Sequence, residues 1–487
     1  MWVGGDHDGR RAVRAGGSVA GPGDGAHAVP ISKGQRIVAW VQAVLRVNAV
    51  VLTINLASGI LAARVMGPAN KGIFNAIVLW PGVFAMLGNA GLSPAFTTLY
   101  ARAGQGERRR IYWMAVLLSV AWGGISAAAC ALLAARVLRH LGPGLGPWVL
   151  TGAILSSLST TVLVGTALLS VHESFAWLNW MNVSRALVST LALVVLAVLG
   201  RLTPYAQVVV TWGTSFLASA PVLVLAFRIG ARLPPVRTGR RLLLRTAQQL
   251  TAMGVRFYAI SLASMFNAQL DQMIASAWLS AREIGWYGVA SSSLTVVAMV
   301  AGAFGTVFFP MVAGDTPEDI RRRTSLAFRR GVFAFAAAGC VLLVGAWPML
   351  RWVYGPRYVG AWPAIVALAP AGICGASLSV LYQGCYALRR FAIPAVGEVV
   401  GAASGAVLLW WWIPRWGIAG AGLAGSVSYL LDLLVVLALW SRQEDDGWRA
   451  VAPTLGDLRS VARIALDEAR RLGMGLLRRS GLIASGA

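Results

Sequence analysis

The sequence predicts an all-α integral membrane protein of about twelve transmembrane helices, grouped six and six, with both termini in the cytoplasm. Composition, the recurrence of apolar stretches and the placement of arginine carry this reading. Of the 487 residues, 57% are hydrophobic and only 12% charged, too few charges to cover a surface that faces water. Apolar stretches of about 20 residues recur along the chain, each long enough to cross a hydrocarbon core of roughly 30 Å. They lack the alternation of barrel strands, and backbone groups in lipid must be satisfied within the chain, so the stretches are helices.

Taken in order, the expected spans of the first half are 37–63, 73–100, 112–138, 147–170, 178–200 and 206–229. Those of the second half are 256–279, 285–312, 328–353, 361–388, 391–413 and 417–440. Residues 1–36 form a Gly/Arg-rich tail without the apolar core of a signal peptide, and are expected to be disordered. Residues 230–255 read as a basic cytoplasmic linker between a lobe at 37–229 and a lobe at 256–440. In the tail at 441–487, Leu458, Val461, Ala465, Ala469, Leu472 and Leu476 recur at helical spacing among arginines. That pattern predicts a basic amphipathic helix on the inner leaflet, in contact with anionic lipids.

The net charge of +24 does not indicate nucleic acid, because the basic residues are dispersed in short connections between apolar spans. The tails and the loops after even-numbered spans hold 31 of the 42 Lys and Arg, and the opposite loops hold 9. The positive-inside rule therefore places both tails in the cytoplasm. Cys130, Cys340, Cys374 and Cys385 lie within spans without metal-ligand spacing, and read as free core thiols. No metal, cofactor or catalytic residue is expected. The halves echo one another: at an offset of 213, Gly72-Ile73-Phe74 falls on Gly285-Trp286-Tyr287. Transporters are commonly built from such repeats.

The segment Leu61-Ala-Ala-Arg64-Val-Met-Gly67-Pro68-Ala-Asn-Lys-Gly72-Ile-Phe74 resembles the turn between the first two helices of bacterial polysaccharide exporters. Asn89-Ala-Gly91-Leu92-Ser93 resembles the end of their second helix. Gln269-Leu-Asp271-Gln272-Met-Ile, Ile284-Gly285-Trp-Tyr287-Gly-Val-Ala290 and Phe309-Pro310 are similar to their seventh and eighth helices. Val353-Tyr354-Gly355-Pro356-Arg357-Tyr358 and Ile413-Pro414-Arg415-Trp-Gly417-Ile-Ala-Gly420-Ala421 complete a set running from about residue 37 to 440. The resemblance is to the lipid-linked oligosaccharide flippases of the multidrug/oligosaccharidyl-lipid/polysaccharide superfamily. It implies a V-shaped, two-lobed transporter of the bacterial cytoplasmic (inner) membrane with alternating access to a central cavity. The implied cargo is a glycan on a polyprenyl diphosphate, moved from the inner to the outer leaflet.

Ionisable residues inside spans are costly and face a cavity or one another. Arg46, Arg185 and Arg256 fall in the cytoplasmic third of spans 1, 5 and 7. Guanidinium groups match phosphate oxygens bidentately, so these three are candidates for a vestibule that receives a diphosphate; each could instead snorkel to headgroups. On span 7, Arg256, Ser264, Asn267 and Asp271 share roughly an 80° arc at 100° per residue. Asp271 is a candidate site for a coupling cation, H+ or Na+, or a gate paired with the first lobe. Gln42, Arg46 and Thr53 share one face of span 1 and add polar surface to the same cavity. For Glu398 and Asp432, on spans 11 and 12, helix packing is an equal reading.

An enzyme using a polyprenyl-linked donor would need acids or a large loop on the outer face, where Glu283 is essentially the sole carboxylate. No phosphate-cradling Gly-x-x-x-x-Gly-Lys-Ser/Thr sequence is present. The alternative function is an ion-coupled drug or metabolite antiporter of the same superfamily, against which the basic entrance argues.

Overall fold

The computed structural model describes residues 33–463 apart from 143, 173, 235–238, 313 and 443–446. Side chains are described from residue 50 onward, except Phe175 and short stretches of the seventh and eighth helices. The expected N-terminal tail, the side chains of Gln42, Arg46 and Ser264, and the tail beyond residue 463 lie outside what is described. The chain divides into two units, 1–48 and 49–487. The first contributes the helical backbone of residues 33–48.

The described fold is all-helical: α1 (Lys33–Asn89), α2 (Leu92–Arg102), α3 (Gln105–Val137), α4 (Leu145–Val171), α5 (Phe175–Val198), α6 (Pro204–Arg232) and α7 (Arg240–Trp278). Then follow α8 (Ala281–Val312), α9 (Pro317–Pro348), α10 (Trp362–Ala387), α11 (Ala392–Ser441) and the short α12 (Trp448–Val451). Among the described residues, eight stretches are long and apolar enough to cross a membrane. Large apolar side chains such as Leu191, Val198, Val341 and Val344 stand exposed on them, the surface a lipid solvent requires. The chain is a multi-pass membrane protein.

The punctuation follows local chemistry. α1 is broken at Gly67, whose φ of 76° suits a residue without Cβ, and the following Pro68 cannot continue the hydrogen-bond ladder. α11 is broken likewise at Gly417, just after Pro414. Both breaks fall at expected boundaries between spans. α8 opens with a capping box: the Ser280 N–H donates to Glu283 Oε2 at 3.0 Å and the Glu283 N–H to Ser280 Oγ at 3.4 Å. Thr316 caps α9 by accepting from the Asp319 N–H at 3.2 Å, ahead of Pro317.

In the second half, α10 is the central helix and packs against α8, α9 and α11. Its buried face is dominated by small residues, among them Ala364, Ala371, Ala376 and Gly384, which permit close helix approach in a membrane. α7 belongs to two cores. Leu250 packs with Leu92, Phe96, Tyr100 and Tyr112 of the first half. Ala275 and Leu279 pack with Tyr287, Leu350 and Leu368 of the second. Residues 240–255, expected from their basic composition as linker, are thus the opening turns of a packed helix.

The halves meet at both ends of this unit. At one end, a Cβ on Gly72 would run into the Ala281 carbonyl, and one on Gly285 into the Pro68 carbonyl. The Tyr358 hydroxyl donates to Ala63 O at 3.0 Å, and Arg64 to Trp352 O at 3.2 Å. At the other end, Gly91 (φ 69°) lies against the Gly254 backbone.

Candidate functional site

Asn267 and Asp271, one turn apart on α7, both line a cavity of about 470 Å³ walled by α7, α8, α10 and α11. The helical spacing that grouped them in the sequence puts them on one face. Asp271 is held within its own half: the Tyr287 hydroxyl donates to Oδ2 at 2.6 Å, and the Gln272 N–H donates to Oδ1 at 2.7 Å. Asn267 gathers the two acids of α11. Its amide donates to Glu398 Oε2 at 3.1 Å and to Asp432 Oδ2 at 3.5 Å.

The Tyr382 hydroxyl donates to the Asp432 carboxylate at 3.1 Å. Ser428 donates to Gly401 O at 2.7 Å and lies 3.4 Å from Asn267 Oδ1. Glycine is required beside Asp432, because a Cβ on Gly397 would collide with its carboxylate. The cluster is a set of hard oxygen donors on three helices, a chemistry suited to a proton or a hard cation. Tyr382 and Ser428 are additions that no local pattern in the sequence singled out, and Tyr287, though part of a recognised motif, carried no expected site role. Glu398 and Asp432 do pack their helices, and they do so around a residue of the expected polar stripe.

A second cavity, of about 570 Å³, lies within the first half between α1, α4, α5 and α6, and Arg185 lines it. Arg256 is exposed on α7, two residues beyond the Gly254 contact, and does not line that cavity. The structure therefore brings Asn267 and Asp271 together; of the exposed Arg185 and Arg256, only Arg185 lines the first-half cavity. Thr53 is exposed on α1.

The family model described as "Polysaccharide biosynthesis protein" matches residues 46–314, more than half of the chain. The chain belongs to this family. In fold, the chain is similar to a structure titled "Lipid II flippase MurJ, inward closed conformation", with a TM-score of 0.66 and 14% identity, over 86% of this chain and 92% of that one. It is also similar to an inward-facing multidrug resistance MATE family transporter of the MOP superfamily, with a TM-score of 0.56 and 11% identity, over 80% of this chain and 94% of that one. No protein of curated function matches the sequence. At such identities the likeness is one of fold alone.

Proposed function

We propose that this family member flips a polyprenyl-diphosphate-linked oligosaccharide from the inner to the outer leaflet of the bacterial cytoplasmic membrane during cell-surface polysaccharide synthesis. The observation that carries the reading is Arg185. It is a guanidinium on an apolar helix of the polysaccharide-family fold, turned into a cavity whose described lining holds no carboxylate. A membrane-embedded cation in that setting calls for an anionic cargo, and the similar lipid II flippase points to a lipid-linked one.

Twelve spans with both ends in the cytoplasm are part of the proposal. Dividing α1 and α11 at their glycines and adding α7 and α8 brings the helices into register with the expected spans. In that orientation Arg46, Arg185 and Arg256 receive the diphosphate from the cytoplasmic side. The oxygen cluster around Asn267 and Asp271, with Ser264 and Gln42 adding polar surface, takes the coupling cation, H+ or Na+, or gates the passage. The MATE-like fold also fits an ion-coupled drug or metabolite antiporter, and cation coupling would serve either; the nature of the cargo separates them.

Deletion of the gene should make lipid-linked precursors accumulate in the inner leaflet, read by leaflet-specific labelling of the glycan. Arg46→Ala and Arg256→Ala should each reduce export about tenfold or more, as expected for loss of a charge-assisted phosphate contact. Normal export by both variants would rule out the vestibule.

A further inference from the structure

The cavity of the first half has a wall whose chemistry is specific enough to name a ligand. Asn182 and Arg185 stand three residues apart on α5, hence on one face, and both line the cavity. Across from them are Ser159 of α4 and Ser215 of α6, with the rings of Trp212 and Phe216. The Ser159 hydroxyl donates to Leu155 O at 3.3 Å and that of Ser215 to Thr211 O at 2.7 Å. Their protons are committed to their own helices, so toward the cavity these oxygens offer lone pairs.

The sequence between residues 49 and 270 contains only two carboxylates, Glu107 and Glu173, and the cavity's described lining holds none. Among the described residues Arg185 forms no ion pair. A ligand that suits this wall therefore carries an anion for the guanidinium, several hydroxyl donors for the serine and amide oxygens, and an apolar face for the aromatic rings. A phosphorylated sugar has all three, and about 570 Å³ is within the usual range for a bound small molecule.

We propose that the cavity between α1, α4, α5 and α6 binds the glycosyl-phosphate headgroup of the cargo, with Arg185 on phosphate oxygens and Asn182, Ser159 and Ser215 on sugar hydroxyls. This rests on the flippase reading and sharpens it, because it seats the headgroup inside the first half rather than between the halves.

The test uses full-length protein in lipid nanodiscs and two probes. One is soluble N-acetylglucosamine 1-phosphate; the other is a farnesyl-diphosphate-linked N-acetylglucosamine carrying a photoreactive azide. Arg185→Ala should weaken binding of the lipid-linked probe at least about tenfold, with Arg185→Lys recovering part of it. Photolabelled peptides, identified by mass spectrometry in the unmutated protein, should come from α4, α5 or α6, a result independent of how the variants fold. Parallel losses with the soluble probe show that sugar phosphate suffices; losses confined to the farnesyl probe show that the headgroup is taken from a lipid. Unchanged affinity in a monodisperse Arg185→Ala protein, or labelling confined to α7–α11, overturns the inference while leaving the flippase reading intact. If the unmutated protein binds neither probe, the cargo reading fails and takes the inference with it.

Discussion

Asp271 and Tyr287 illustrate what a single contact does in this fold. Among the described residues the carboxyl accepts from one side chain, the tyrosine hydroxyl at 2.6 Å, and from backbone N–H groups. Tyr287→Phe removes the first and leaves a part-buried carboxyl short of a donor, a loss worth about 1–3 kcal/mol. Transport by this variant should fall while binding of the lipid-linked probe stays near the unmutated level, as measured by flipping in proteoliposomes alongside probe titration. Equal losses of both would tie Asp271 to cargo rather than to coupling. Asn267 and Asp271 were legible in the sequence because polar residues at helical spacing on an apolar span stand out. Asp432 stood out as a charge within a span, but its place beside Asn267, 165 residues away, was not legible, nor was the part of Tyr382, 50 residues from Asp432, because only tertiary packing closes such separations.

Among the elements, the helix at residues 455–463 is tied to α9 by a forked contact. Arg329 Nε and Nη2 both donate to Asp457 Oδ2, at 2.8 and 2.7 Å, and Nη2 also donates to Thr454 Oγ1 at 3.1 Å. Burial alone would raise the Asp457 pKa, but hydrogen bonds from Thr454 and Arg329, with the charge of Arg329, outweigh it and hold the carboxyl below its usual value. A depressed carboxylate favours the docked state above the ordinary pKa near 3.9, and loses that contribution as pH falls through the lower docked value. Amide protection at residues 455–463, taken relative to the intrinsic exchange rate at each pH, should therefore hold from neutral pH to about pH 4 and fall below it. Asp457→Asn should exchange fast at pH 7. Sequence periodicity predicts an amphipathic helix from residue 455 onward, of which the structure describes 455–463, whereas the clamp depends on α9. Sequence also found the breaks at Gly67 and Gly417, because Gly and Pro act locally. Sequence read residues 240–255 as part of a basic linker because of the arginines at 240, 241 and 245; in the fold they are the first turns of α7, which Leu250 roots in a core.

For the whole molecule, the echo between Gly72 and Gly285 has a physical counterpart, since the two glycines sit at the same seam between the halves. The atoms they face are backbone carbonyls, which cannot swing aside like a flexible side chain. Gly285→Val should therefore force the halves apart at that end. Ser276, 0% exposed and bonded to Trp80 across the seam at 3.0 Å, supplies the readout. A Ser276→Cys thiol should react slowly with a membrane-impermeant maleimide, and several-fold faster when combined with Gly285→Val. The halves are also unlike in charge: Asp271, Glu398 and Asp432 all belong to the second, whereas the first turns Arg185 into its cavity. Bridging them is α7, whose 39 residues extend about 58 Å at 1.5 Å per residue. A rod anchored in two bodies behaves as a lever with two fulcrums. Neither half can tilt without bending it or dragging its far end, and the far end carries Asn267 and Asp271. Ion occupancy there and headgroup occupancy in the first half would then be read by one stiff element as torque.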